Sequence, residues 1–297
     1  MQTNRPLHQS KSLALIVMAC IFCLLASCSA LKLTYNNAPD LLYWWLDGYV
    51  DFSAKQKPLI KQQLNQLQQW HRQNELPKYA DLMQNTASLM QRDVTPQQVC
   101  SVFDAAKTRI EQLNLEIAPI IESIAPDLSA KQITHIENKF GVDNEKWRDK
   151  WMDENLDKRQ KKRLKDAVDR AESFYGNLNS DQEELLLISI QTSSFKPEIS
   201  YQRRLEKQQA ILSILRAIEQ GKLAGTQANT KIQAFMREMT DPEDAEYSAY
   251  INQLTTESCQ TIARLHHTAT PKQRKNLQEN LKGYLNDLNV LMSLQQP

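Results

Sequence analysis

The stretch TPKQRKNLQENLKGYLNDLNVLM, residues 270–292, carries both signals from which the fold follows. Its first four residues, Thr270-Pro271-Lys272-Gln273, form a capping box. The threonine hydroxyl can accept from the amide three residues on, the glutamine can reach back to the cap amide, and a proline at the first helical position has no amide hydrogen to leave unpaired. Behind the cap, Leu277, Leu281, Tyr284, Leu285, Leu288, Leu291 and Met292 recur at spacings of three and four, which lay one apolar stripe along a helix.

The same start recurs upstream as Ser53-Ala54-Lys55-Gln56, Thr95-Pro96-Gln97-Gln98 and Ser129-Ala130-Lys131-Gln132. A fifth start is offered by Asn179-Ser180-Asp181-Gln182, with either Asn179 or Ser180 as cap. After Ser53 the residues Leu59, Ile60, Leu64, Leu67 and Trp70 repeat the helical spacing. Only six glycines occur in 297 residues, and no Asn-Gly hairpin signal appears, so the composition also favours helices. Gly141 and Gly176 stand where helices would stop, and Pro77 and Pro119 predict a kink or break. Loops are expected at 221–225 and 240–244. The boxes are spaced unevenly, which argues against a solenoid. The expectation is an all-α protein of about nine to ten helices, a multi-helix bundle or curved helical array. It is expected to form one domain over 28–297, with two sub-bundles dividing near 177.

Ahead of that domain, Arg5 and Lys11 precede the uncharged run 13–25, too short to span a bilayer comfortably and suited to a signal-peptide core. Leu25-Ala26-Ser27-Cys28 follows and resembles the bacterial lipobox, which implies that residues 1–27 are removed and that Cys28 receives a diacylglycerol and a fatty acid. Ser29 behind it is similar to the pattern sorted to the outer membrane. The implied location is the inner leaflet of that membrane, with the domain facing the periplasm. Cys20 and Cys23 leave with the leader, so Cys100 and Cys259 remain, an even pair that suggests a disulfide in an oxidising compartment. Losing Arg5 and Lys11 leaves 34 basic against 35 acidic residues. The run Lys158-Arg159-Gln160-Lys161-Lys162-Arg163 is bracketed by Asp153, Glu154, Asp157, Asp166 and Asp169 and reads as a solvated helix face. No nucleic-acid partner is expected.

Tyr35, Tyr43, Trp44, Trp45, Tyr49 and Phe52 put six aromatics into eighteen residues, where the chain average of 7% predicts about one. Core packing, a membrane-interface belt and a partner-binding face all remain open for them. Trp147 and Trp151, one helical turn apart, form a second pair with the same alternatives of core and partner. The expected partner-binding set is Tyr43, Trp44, Trp45, Asp47, Tyr49, Asp51, Trp147 and Trp151.

Catalytic constellations are scarce. His266-His267 diverge on a helix, His71 and Glu75 fit a contact one turn apart, and no Gly-x-Ser-x-Gly, phosphate loop, Cys-x-x-Cys or His-Glu-x-x-His is present. Asp47 and Asp51 beside the aromatics could form a glycosidase-like acidic pair or an exposed acidic edge. No catalytic residue, metal or cofactor is therefore expected.

Several segments, Tyr35-Asn36-Asn37-Ala38, the run from Leu42 to Asp51, Trp70-His71-Arg72, Glu137-Asn138-Lys139-Phe140 and Glu257-Ser258-Cys259, resemble an uncharacterised family of helical bacterial lipoproteins. That resemblance implies fold class and location and no activity. The boxes are also similar to the Leu-Thr-x-x-Gln motif of Spy-type periplasmic chaperones, although only Leu128-Ser129 keeps the leucine. Tyr49-Val50-Asp51-Phe52-Ser53-Ala54 resembles, in scrambled order and without its arginine, a motif of the lipase-specific foldases. The functional expectation is a non-enzymatic polypeptide-binding or chaperone-like scaffold with a protein client in the envelope. The alternative is an envelope hydrolase acting on peptidoglycan or lipid.

Overall fold

A computed structural model describes residues 31–152 and 155–293. The expected leader, residues 1–27, and Cys28 lie outside the described residues. Residues 31–36 are helical and lead into eleven α-helices. The first six are α1 (Ala38–Val50), α2 (Gln56–Asn74), α3 (Leu76–Leu89), α4 (Pro96–Ile124), α5 (Ala130–Trp151) and α6 (Leu156–Tyr175). Then come α7 (Ser180–Gln191), α8 (Pro197–Glu219), α9 (Gly225–Glu238), α10 (Ala245–His267) and α11 (Pro271–Ser293). A 3-10 turn at Ala125–Asp127 separates α4 from α5. No strand occurs among the described residues. The count slightly exceeds nine or ten, and a break comes as expected at Pro77. This proline sits in the first turn of α3, where a missing amide costs nothing, and α2 ends just before it.

Pro119 makes no break, and Gly141 behaves differently from expectation. α4 runs on through Pro119 for 29 residues, roughly 43 Å, and the adjacent Ala118 is fully buried. α5 runs through Gly141 without stopping. Gly176 does end α6, at φ +75°. A Cβ there would also stand 2.6 Å from the Asn276 amide nitrogen, whose hydrogen bond to the Tyr175 carbonyl ties α11 to that turn.

The boxes at Thr95, Ser129 and Asn179 are complete, with Asn179 rather than Ser180 as the cap. Thr270 and Gln273 likewise exchange both bonds. At Ser53 only the glutamine half forms, because the chain makes one more turn before α2 begins. The residue ahead of each cap is buried at Phe52, Val94, Leu128 and Ala269, the arrangement of a hydrophobic staple.

Four of these glutamines do more than cap. Gln132 Nε2 donates to Gln56 Oε1 at 2.8 Å and to the Asp51 carbonyl at 3.1 Å, while Gln56 Nε2 donates to the Asp127 carbonyl at 2.8 Å. Gln182 and Gln273 donate to each other at 3.0 and 2.8 Å, and to the carbonyls of Thr268 at 3.2 Å and Asn177 at 2.9 Å. In every case the carbonyl lies two residues before the partner's cap. Two helix starts are thus locked face to face, twice, by paired glutamines that we call clasps.

The core falls into three clusters. One joins Met90, Val99, Tyr175, Leu186, Cys259 and Leu277, a second Ala118, Ile133, Leu212, Ile218, Ile232 and Met236, and a third Tyr43, Phe52, Ile60 and Leu64. Each of the two larger clusters draws on chain from both sides of residue 177. α4 connects them: its first turns enter the first cluster and its last turns the second. Cys100 and Cys259 stand at disulfide distance, S–S 2.11 Å, and join α4 to α10 in the first cluster.

Candidate functional site

α1 divides its aromatics between two sides. Tyr43 is 5% exposed and packs on Phe52, also 5% exposed, with ring centroids 6.4 Å apart. Tyr43, expected in the partner-binding set, is therefore core. Trp44 and Trp45 are 70% and 59% exposed, and Leu41 and Leu42 beside them are exposed too. Successive helical residues diverge by about 100°, so burying Tyr43 turns its two neighbours outward. Core packing does not account for this tryptophan pair.

Asp47 and Asp51 finish α1. Asp47 accepts from the Phe52 amide at 2.9 Å and pairs with Lys57 at 3.5 Å, while Asp51 takes a left-handed conformation at φ 54° that closes the helix. Tyr49 donates to Asp143 on α5. Burial, and then that carboxylate, push the phenol up to about 12, while the phenol's hydrogen bond holds Asp143 below the usual carboxylate range.

Two clefts, partly open to solvent, run through the molecule. The first encloses about 850 Å³ between α1, α2, α4, α5, α8, α9 and the start of α10, with Trp45, Ile121, Phe140, Leu215 and Phe235 in its wall. The second encloses about 910 Å³ between α3, α4, α6, α7, α10 and α11, with Met83, Phe103, Phe174, Ile190 and Leu254 in its wall. Both volumes lie within the range of small-molecule sites, roughly 300 to 1,000 Å³. Trp147 and Ser200 line both. Trp147 stacks on Tyr201 at 5.4 Å and lies 6.4 Å from Trp151, which meets Phe195 edge-on at 6.0 Å. Both rings are half-buried, so the pair forms the rib between the clefts.

The charged groups of the first cleft come from one face of α8. Ser200, Arg203, Arg204, Lys207, Gln208, Ile211 and Leu215 all line it, and among the described residues no aspartate or glutamate does. Arg203 is taken by Glu206 and Glu238. Arg204 Nε donates to Asn144 Oδ1 at 2.6 Å, and Lys207 Nζ donates to the Met239 carbonyl at 3.3 Å. Burial, and then Arg203, hold the Lys207 amine below its ordinary range. The second cleft has its own carboxylate, Glu257, which accepts from the Ser194 amide and the Ser193 hydroxyl. Arg163, in the same wall, lies over the Phe195 ring at 4.9 Å.

The α8 face was legible as a three-and-four pattern that begins polar and ends apolar; its meeting with α1 and α4 was not. His71 and Glu75 serve separate roles. His71 Nδ1 meets the Tyr35 hydroxyl at 3.0 Å, and the fully buried Glu75 pairs with Lys78 at 2.9 Å and Arg109 at 3.5 Å. Among the described residues, no three His, Cys, Asp or Glu side chains gather to hold a metal ion, and no helix is long and apolar enough to cross a membrane.

Residues 48–225 match the model of a family described as a family of unknown function, DUF6279. No curated protein and no solved structure matches.

Proposed function

The chain belongs to the DUF6279 family, whose function is unknown, and from that premise we propose a non-enzymatic scaffold, tethered to the outer membrane through acylated Cys28, that holds a polypeptide client. The observation that carries this reading is the outer face of α1, where Leu41, Leu42, Trp44 and Trp45 are all exposed. Tryptophan is the residue type most enriched among binding anchors, and an exposed pair flanked by leucines is costly to leave in water. The lipobox supports the tether, and the even cysteine pair, at bonding distance, fits an oxidising compartment.

A second reading has an observation of its own. Leu31 and Leu33 are also exposed. They lie within five residues of Cys28, at most about 18 Å of extended chain, so a lipid there would bring them and the α1 tryptophans to the bilayer interface.

Photo-crosslinkers placed at Trp44 and Trp45 in living cells separate the two, with exposed Ile188 on α7 as control. The scaffold reading expects polypeptide adducts from α1 and none from Ile188. Lipid adducts alone would replace it with the membrane seat. Cys28→Ala tests the tether independently, by loss of the protein from the membrane fraction.

A further inference from the structure

We propose that the first cleft is a binding site for a single acyl chain with a carboxylate headgroup, the headgroup held between Arg204 and Lys207 and the chain laid along Ile211 and Leu215. The cleft shares Leu42 and Trp45 with the exposed side of α1, but the inference rests on the α8 wall and goes beyond the client-binding reading.

Charge is the first ground. Among the described residues three cations enter the wall and no acidic residue does. Arg203 is neutralised by Glu206 and Glu238, but Arg204 and Lys207 have only an amide oxygen and a backbone carbonyl as partners. Half-buried cations without a counter-charge are destabilising, and an anion entering between them removes that penalty. Two donors side by side suit a carboxylate.

Order along the wall is the second ground. The lining face of α8 is polar from Ser200 to Gln208 and apolar at Ile211 and Leu215, where Ile121 and Phe235 face it across the cleft. From Arg204 to Leu215 the helix rises roughly 16 Å. One leaflet of bilayer hydrocarbon, half of about 30 Å, has nearly the same depth. A ligand charged at one end and apolar for that length matches the gradient; a peptide, with polar groups at every residue, does not.

The second cleft supplies an internal control. It has a similar volume and an apolar wall with two cations, Arg163 and Arg170, but Glu257 stands among them as a counter-charge that the first cleft lacks among its described residues.

The test is displacement of fluorescent cis-parinarate from the full mature chain by palmitate, by 1-hexadecanol and by palmitoyl lysophosphatidylglycerol. Palmitate is expected to compete saturably and hexadecanol at least ten-fold more weakly. Arg204→Gln with Lys207→Gln should weaken palmitate ten-fold or more and leave hexadecanol unchanged. Leu215→Trp, which fills the apolar end, should weaken both, and Glu257→Gln neither, with helical circular dichroism retained throughout. Equal binding of palmitate and hexadecanol, insensitivity to the Arg204 and Lys207 changes, or loss of binding on Glu257→Gln would each overturn the site. Preference for the lysophospholipid over palmitate would overturn the carboxylate assignment. Crosslinking at Trp44 is read independently, so either proposal can fail without the other.

Discussion

At one clasp Gln56 and Gln132 meet through a single hydrogen bond between their side-chain amides; at the other Gln182 and Gln273 exchange two. The parts are the same, but their surroundings are not. Around the second clasp lie the Cys100–Cys259 pair, the Gly176 turn and the fully buried His266, whose Nδ1 meets the Tyr175 hydroxyl at 3.0 Å. Around the first lie the exposed tryptophans of α1 and the cationic cleft. In the tightly secured half Arg163 and Arg170 share their cleft with the carboxylate Glu257, whereas the more lightly secured half carries both candidate surfaces. Binding surfaces are drawn from the less stable part of a fold, because they must bury something other than the chain itself.

Reduction of Cys100–Cys259 should break the contrast most strongly. Their separation of 159 residues makes the cross-link worth about 5 kcal/mol in chain entropy. Denaturant unfolding with and without reductant measures it, and hydrogen exchange should locate the loss around α10 and α11. A change below about 1 kcal/mol would mean that packing alone secures this half.

Next are the glutamines themselves. Gln273→Ala leaves the Asn177 carbonyl and the Gln182 amide short of partners in a buried setting and should cost about 3 kcal/mol. Gln132→Ala breaks the one-way clasp and should cost about 2 kcal/mol. Equal midpoint shifts for the two variants would remove the distinction between reciprocal and one-way pairing.

Gly176→Ala is expected to cost about 2 kcal/mol, from the positive φ and from the displaced Asn276. The companion Gly141→Ala, in mid-helix with open space around it, should stabilise by about 0.5 to 1 kcal/mol. Opposite signs in thermal unfolding would uphold this reading of the two glycines.

The smallest effect is on pH dependence. Burial lowers the His266 pKa, and the carbonyl of Arg92, 3.0 Å from Nε2, requires the proton there, leaving Nδ1 to accept from Tyr175. The unfolded chain therefore binds this proton more readily than the folded one. Its contribution is fully present above about pH 6.5 and is lost as pH falls through the folded-state value. His71 is also lowered by burial, and its loss has the same sign. His266→Gln should flatten the acid limb of the stability curve; an unchanged limb would assign it to other groups.

Local chemistry was readable in the sequence. Thr95, Ser129 and Thr270 announce helix starts through bonds spanning only three residues, and all three start where expected. The pairing of the boxes was not readable, since Gln182 and Gln273 are 91 residues apart and each satisfies its own cap without the other. Gly141 and Gly176 look alike in sequence, and tertiary context separates them: Asn276 approaches only the second. The α1 tryptophans were visible as an enrichment, but their direction depends on which neighbour the core takes, and the core takes Tyr43. The first cleft needed seven helices to converge, so only the α8 share of it had a linear trace.

Lys32, just ahead of α1, pairs with the buried Asp287 of α11 at 3.2 Å, while Arg72 holds Asn36 at 2.8 Å and reaches the Leu291 carbonyl at 3.3 Å. The opening segment of the described chain is thus fastened to its last helix. A mechanical pull applied near residue 32 would be shared with α11 and the helices packed on it rather than peeling α1 away alone. In a force-extension experiment, Asp287→Asn should let the opening segment yield early and as a separate step.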